Sequence, residues 1–355
     1  MKKIFVTKPY LPPKEELSYY YDKIYNSGVL TNDGPLAKEL SAKLQKICEV
    51  QHFNYVTNGT IALQLALRVL GITSGEVITT PFTYVATISS ILWEHCVPVF
   101  VDIEPDNFTI DAKKIEEAIT EETKAIMPVH VFGYACDVDS ISSIAKENNL
   151  YVIYDAAHTF GARYKGKALC SYGDISTLSF HATKLFHTIE GGACLTNDDA
   201  LSFKLEWMRR FGHCGDNHMM LGLNAKQDEF NAAMGLANLA HIDFIIQSRK
   251  QAFNRYIDNL GNKYKRPKVQ DDLEYNYAYF PILFDSESEL EQAMNNFITH
   301  DIYPRRYFYP SCNELQYLKK KSKCKISEDI SRRILCLPLW SGMSNSIIDM
   351  VCELL

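Results

Sequence analysis

Lys184 lies in the string SFHATKLFHTIEGG (Ser179–Gly192), among hydroxyl side chains, two histidines and a pair of glycines. The apolar run ISTLSF leads into it, so the chain carries this lysine inward rather than out to water. A free lysine, with a pKa of about 10.4, is a poor base at neutral pH. Held as an imine with a carbonyl compound and released during turnover, the same amine becomes both anchor and proton carrier. Asp155 ends the run LYVIYD, where an open parallel sheet presents groups to ligands. From these two residues alone, a buried structural ion pair is an open alternative. The string TNGT (57–60) joins a strand to a helix. Gly59, Thr60 and the N–H groups after them would then form a helix N-terminus suited to phosphate. Taken by itself that string also reads as an ordinary turn with a helix cap. Ser179 adds a hydroxyl five residues before the lysine. A phosphate cradle, an aspartate and an inward lysine together match the needs of pyridoxal 5'-phosphate. Lys184 would form the Schiff base, and Asp155 would keep the pyridine nitrogen protonated so that the ring accepts electrons.

Such a constellation needs strand ends to carry it. FNYV, EVITT, VPVFVDI, KAIMPVHVF, LYVIYDAAH, ISTLSF and GACLTN read as strands. Helices are expected at IALQLALRVLG, after PFTYVAT, at DAKKIEEAI and at SISSIAKENN. Apolar strands separated by helices predict an α/β protein with a mostly parallel sheet covered on both faces. The pattern changes after Ile246. There a long helix, QSRKQAFNRYIDNL, leads to YAYFPILF, a helix in ESELEQAMNNFITH, and ILCLPL. These predict a large unit over 1–246 and a smaller α+β unit over 247–355, joined through a helix.

With 355 residues, 46% of them hydrophobic, the chain can fill more than one core. Its net charge of −6 gives no basic face for nucleic acid. No apolar stretch is long enough to span a bilayer. The opening MKKIFVTKPYLPP lacks the apolar region of an export signal. The ten cysteines include no C-x-x-C pair. They read as reduced thiols of a cytoplasmic protein. His181, His187 and HCGDNH (His213–His218) lack zinc spacing, and no metal is expected. Cys214 has no identifiable partner to make it a nucleophile.

Several strings occur in family order: SGVLTNDGP, VITTPFTYVATI, PVHVFGYACDVDSI, VIYDAAHTFGARYKGK, SFHATKLFHTIEGG and GLNAKQDEFNAAMGLANL. Together they resemble the DegT/StrS family of nucleotide-sugar aminotransferases, from about Leu30 to Ile246 and more weakly to LPLWSGMS. The resemblance implies the aspartate aminotransferase fold (fold type I) and a homodimer with shared active sites. It implies Lys184 as the Schiff-base lysine, Asp155 at the ring nitrogen and His158 near the ring's 3-hydroxyl. Tyr84 would lie on the cofactor face, with core filling as its alternative. Gly59, Thr60 and Ser179 would hold the phosphate, joined by Asn224 of GLNAK from the neighbouring subunit. Thr31, Lys226 and Tyr309 fall in its substrate-binding regions. Lys226 stands where arginine is common and gives a point donor in place of a bidentate grip. Asn313, in RRYFYPSCNELQY, stands where histidine is common. Glu190–Gly192 reads as a turn letting the backbone pass close to the cofactor.

The implied reaction takes an amino group from L-glutamate, through pyridoxamine 5'-phosphate, to C4 of a nucleotide-linked 4-keto-6-deoxy sugar. The best match is dTDP-4-keto-6-deoxy-D-glucose, for O-antigen or another surface glycan. The alternatives are a 3-keto sugar aminotransferase, a sugar dehydratase, which characteristically has histidine in place of Lys184, and a regulator that binds the cofactor without turnover.

Overall fold

Seven strands form one sheet in the computed structural model, which describes residues 3–355. In chain order they are β1 (His52–Val56), β2 (Glu76–Thr79), β3 (Val97–Phe100), β4 (Thr123–Met127), β5 (Tyr151–Asp155), β6 (Ile175–Ser179) and β7 (Gly192–Thr196). Their spatial order is β1-β7-β6-β5-β4-β2-β3. β7 runs antiparallel to both its neighbours, and the other pairings are parallel. The α/β sheet expected from the apolar runs is therefore present.

The pleat explains why these strands have little polar alternation. Val77, Ala125 and Ile153 pack with Ala62, Leu65 and Ala66 of the helix Gly59–Val69. Their chain neighbours Ile78, Ile126 and Val152 pack with Ile141 and Ile144 of the helix Val138–Glu147. Successive side chains point to opposite faces, and both faces are covered.

The helix Ile242–Leu260 runs without a break across the expected junction at 246. Its Ile245 joins the cluster around Leu40, Leu178 and Leu236. Further along, Ala252, Phe253 and Tyr256 join a second core with Phe280, Leu335 and Ile348. In that core the strand Phe280–Leu283 pairs antiparallel with Ile334–Leu337. The N-terminal residues Ile4–Phe5 pair with Ile302–Tyr303, so the start of the chain also joins the C-terminal part.

Two local expectations are corrected. DAKKIEEAI forms two 3-10 turns, Ala112–Lys114 and Glu116–Ala118, rather than an α-helix. Its inward residues Ala112, Ile115 and Ala118 recur every three positions, which matches the tighter helix. The helix expected after PFTYVAT begins inside it, at Val85, and so includes Thr87.

Candidate active site

Strand register assembles the site. Asp155 at the end of β5 pairs with Thr177 of β6, so Asp155 and Ser179 stand on adjacent strand ends. Gly192 pairs with both Ser179 and Val56, which brings the turn after β1 beside Ser179. A Cβ on Gly59 would lie 2.9 Å from the Ser179 Cβ, so a side chain there would push the turn away. A Cβ on Gly192 would lie 2.4 Å from the Asn58 carbonyl carbon, so this glycine admits the backbone of the turn after β1. The Asn58 side chain accepts the Ile61 N–H at 2.9 Å and starts the helix Gly59–Val69. The N–H groups of Gly59 and Thr60, in the first turn, have no partner within the helix.

These elements line a cavity of about 550 Å³. Gly59, Thr60 and Ser179 lie on its wall with Tyr84, and so do Asp155, His158 and Lys184. From the C-terminal part the cavity receives Tyr279, Arg305, Tyr307 and Phe308. Tyr84 is 59% exposed at the start of the helix Val85–Trp93, which excludes the core-filling alternative.

Lys184 is half-buried as a residue, yet its amine lies in the wall, and desolvation pushes its pKa down to about 8. Asp155 acts against that shift. The ordinary value of 10.5 leaves about one amine in a thousand neutral at pH 7.5; at 8 the fraction is about a quarter. The structure thus supplies a nucleophilic amine where the sequence only suggested an inward one.

Asp155 is buried, and burial pushes its carboxyl pKa up. The Thr87 hydroxyl donates to its Oδ2 at 2.8 Å and the Ala157 N–H to its Oδ1 at 3.1 Å. Both bonds favour the carboxylate, as does the charge of Lys184. Thr87 lies 2.8 Å from the Thr83 hydroxyl. The sequence reading gave neither threonine a role, although their i, i+4 spacing in FTYVAT was the available signal.

His158 accepts the Phe132 N–H on Nδ1 at 3.0 Å, so the neutral ring carries its proton on Nε2. Burial, aided by Lys184, pushes its pKa well down. Its ring lies parallel to that of Phe308, with centroids 5.9 Å apart.

Four expected residues do not line this cavity: Thr31, Asn224, Lys226 and Tyr309. The Lys226 amine donates to Asn224 Oδ1 at 3.0 Å, next to Arg209 and Arg210. Tyr309 lies under the Arg306 guanidinium, 3.6 Å from its ring centroid. Asn313 is buried and donates to Ser322 O and Glu328 Oε1 at 2.8 and 2.7 Å, an arrangement that fixes its loop. His213 and His218 face each other across a hairpin, and no group of three His, Cys, Asp or Glu side chains among the described residues could hold a metal.

A lysine in the turn that follows β6 and a carboxylate at the end of β5, beside a glycine-opened helix N-terminus, form the candidate active site of this α/β protein. The chain belongs to the DegT/DnrJ/EryC1/StrS aminotransferase family, whose model matches residues 13–355. It is 41% identical to a dTDP-4-amino-4,6-dideoxy-D-glucose transaminase from Shigella dysenteriae, over 99% of this chain and 97% of the relative. It is 35% identical to a GDP-perosamine synthase from Escherichia coli O157:H7, over 99% and 98%. Among solved structures it matches DesI, determined in the presence of its TDP-sugar product, with a TM-score of 0.94 and 29% identity over 100% and 92% of the two chains. The PLP form of Spr1654, a putative sugar aminotransferase from Streptococcus pneumoniae, matches with a TM-score of 0.90 and 25% identity over 98% and 97%. No helix among the described residues is long and apolar enough to cross a membrane.

Proposed function

We propose that this protein is a cytoplasmic, pyridoxal phosphate-dependent aminotransferase that moves the amino group of L-glutamate to C4 of dTDP-4-keto-6-deoxy-D-glucose. The observation that carries the reading is the single cavity joining the Lys184 amine to the Asp155 carboxylate and to the open N–H groups at Gly59 and Thr60. The residues fit the cofactor on their own chemistry. Two N–H groups and the Ser179 hydroxyl suit a phosphate, and a carboxylate fixed by two hydrogen bonds suits a protonated pyridine nitrogen. Bound there, the cofactor would supply a carbonyl carbon for the amine and an electron sink for the reaction. Lys184 Nζ would be the attacking amine and, when free, would carry a proton between the amine-bearing carbon and its acceptor. Asp155 would hold the proton on the ring nitrogen. His158, with its proton on Nε2, would donate toward an oxygen on the ring. Tyr84 would cover one face.

The choice of C4 and of the dTDP sugar rests on the Shigella relative at 41% identity. Residues 1–246 would bind the cofactor, with 247–355 closing the cavity from the other side. We place the active sites at the interface of a homodimer, because Asn224 lies outside this chain's own cavity. Thr31, Lys226 and Tyr309 would then serve the substrate. The test is incubation of dTDP-4-keto-6-deoxy-D-glucose with glutamate and the holoenzyme, with the product examined by NMR. Nitrogen on C4 is expected. Exclusive turnover of the 3-keto isomer would overturn the regiochemistry.

A further inference from the structure

Arg305 differs from every other arginine in the described chain. Each of the others donates to a carboxylate or to a backbone carbonyl. Its neighbour Arg306 is saturated, bonded to Glu287 at 2.6 Å and to the Arg332 carbonyl at 2.8 Å. The Arg305 guanidinium meets no carboxylate and no carbonyl; it lies 5.9 Å from the ring centroid of Tyr307, whose phenol oxygen accepts from it, and it lines the cavity.

Its backbone, by contrast, is fixed. Arg305 donates to the Cys336 carbonyl at 3.2 Å and accepts the Cys336 N–H at 2.8 Å. Cys336 lies in the middle of the fully buried strand Ile334–Leu337. The charge is thus mounted on a rigid element while no carboxylate or carbonyl engages its donors, the arrangement of a recognition group.

The charges around the cavity narrow what it recognises. Lys184 and Arg305 are its only lysine and arginine, and the proposed function assigns Lys184 to the cofactor. The one other acid on the wall, Glu190, lies 3.6 Å from His181. The helix N-terminus and Ser179 form an anion cradle on the sheet side, whereas Arg305 enters from the C-terminal part. A second anion, carried by the substrate, is left for Arg305. On the proposed function, both substrates bring one: a carboxylate on the amino donor and a diphosphate on the sugar. A planar guanidinium fork accepts either in bidentate fashion.

We infer that Arg305 is the substrate-anion grip of this cavity, holding the donor carboxylate in one half-reaction and the sugar diphosphate in the other. The inference rests on the proposed function for the identity of the two anions. The test uses holoenzyme carrying Arg305→Gln or Arg305→Lys. Two arms are read separately: saturation of the glutamate half-reaction, followed at the cofactor's visible band, and binding of dTDP, followed by calorimetry. For Arg305→Gln, each dissociation or half-saturation constant should rise about 10- to 100-fold, the worth of a hydrogen bond to a charged group. Arg305→Lys should recover part of both losses, and cofactor content should stay at the wild-type level. A carboxylate-free primary amine offered as donor should react with wild type and Arg305→Gln at the same rate. Unchanged constants in both arms would overturn the inference. A rise in one arm alone would overturn the shared use and assign Arg305 to that substrate. If the wild type aminates no dTDP sugar, the substrate reading fails by itself, and the glutamate arm still decides the role of Arg305.

Discussion

Thr87 donates a 2.8 Å hydrogen bond to the buried Oδ2 of Asp155, and its own oxygen lies 2.8 Å from the Thr83 hydroxyl. The bond fixes the carboxylate and favours its charged form against the cost of burial. Asp155→Asn removes the charge that would hold the ring nitrogen protonated. Transamination should fall about 100-fold or more, the scale of losing one preorganised electrostatic group. Thr87→Val removes only the bond that holds the carboxylate. Its rate should fall about 10-fold, the worth of one hydrogen bond to a charged group, with bound cofactor retained. Stopped-flow rates and cofactor content check both, and a Thr87→Val enzyme as slow as Asp155→Asn would refute the ordering.

The shifted Lys184 amine sets a pH dependence of stability in protein stripped of cofactor. Its pKa is about 8 when folded and 10.5 as an ordinary lysine. Below pH 8 both states hold the proton, and the folded state carries the full cost of a buried charge. Between 8 and 10.5 the unfolded chain binds more protons, so stability rises with pH and levels off above that range. The gain is at most about 3 kcal/mol. Urea midpoints of wild type minus Lys184→Met across pH 7 to 11 isolate it. A difference that stays flat or falls with pH would contradict the burial of this amine.

The chain revealed the sheet and the Lys184–Asp155 pair for one physical reason. Strands buried on both faces leave long apolar runs, and a charged residue that ends such a run, as Asp155 does, or closely follows one, as Lys184 does, stands out. Thr87 was hidden because a threonine within an apolar helix reads as filler until the carboxylate it meets, 68 residues later, is folded beside it. Arg305 was hidden because its distinction is the lack of an acidic or carbonyl partner, which appears only after the other arginines have found theirs. The 3-10 turns at 112–118 were misread because a spacing of three looks helical over so short a span.

Gly59→Ala tests the cradle. The new Cβ would lie 2.9 Å from the Ser179 Cβ, so the turn and strand end must move apart. Cofactor affinity should drop at least about 10-fold, while the thermal midpoint of the cofactor-free protein falls by only a few degrees. Equilibrium dialysis with pyridoxal phosphate checks the first and calorimetry the second. Unaltered affinity would separate Gly59 from the phosphate.

Shared sites make the most specific prediction. Lys184 lies on its own chain's cavity wall, whereas Asn224 sits outside that cavity with the Lys226 amine 3.0 Å from its Oδ1. If Asn224 completes the site of a neighbouring subunit, Lys184→Ala and Asn224→Asp disable different halves of each site. The alanine variant lacks the reactive amine, and the aspartate variant places a negative charge where a phosphate should sit. A mixed dimer then carries one site with both defects and one with neither. Random exchange makes about half the dimers mixed, with one intact site in two, so activity should return to about a quarter of wild type. Co-expression with two affinity tags isolates the mixed dimer, which should reach about half the wild-type rate. A purified mixed dimer that stays as inactive as its two parents would place both residues in the same subunit's site and remove the case for sharing.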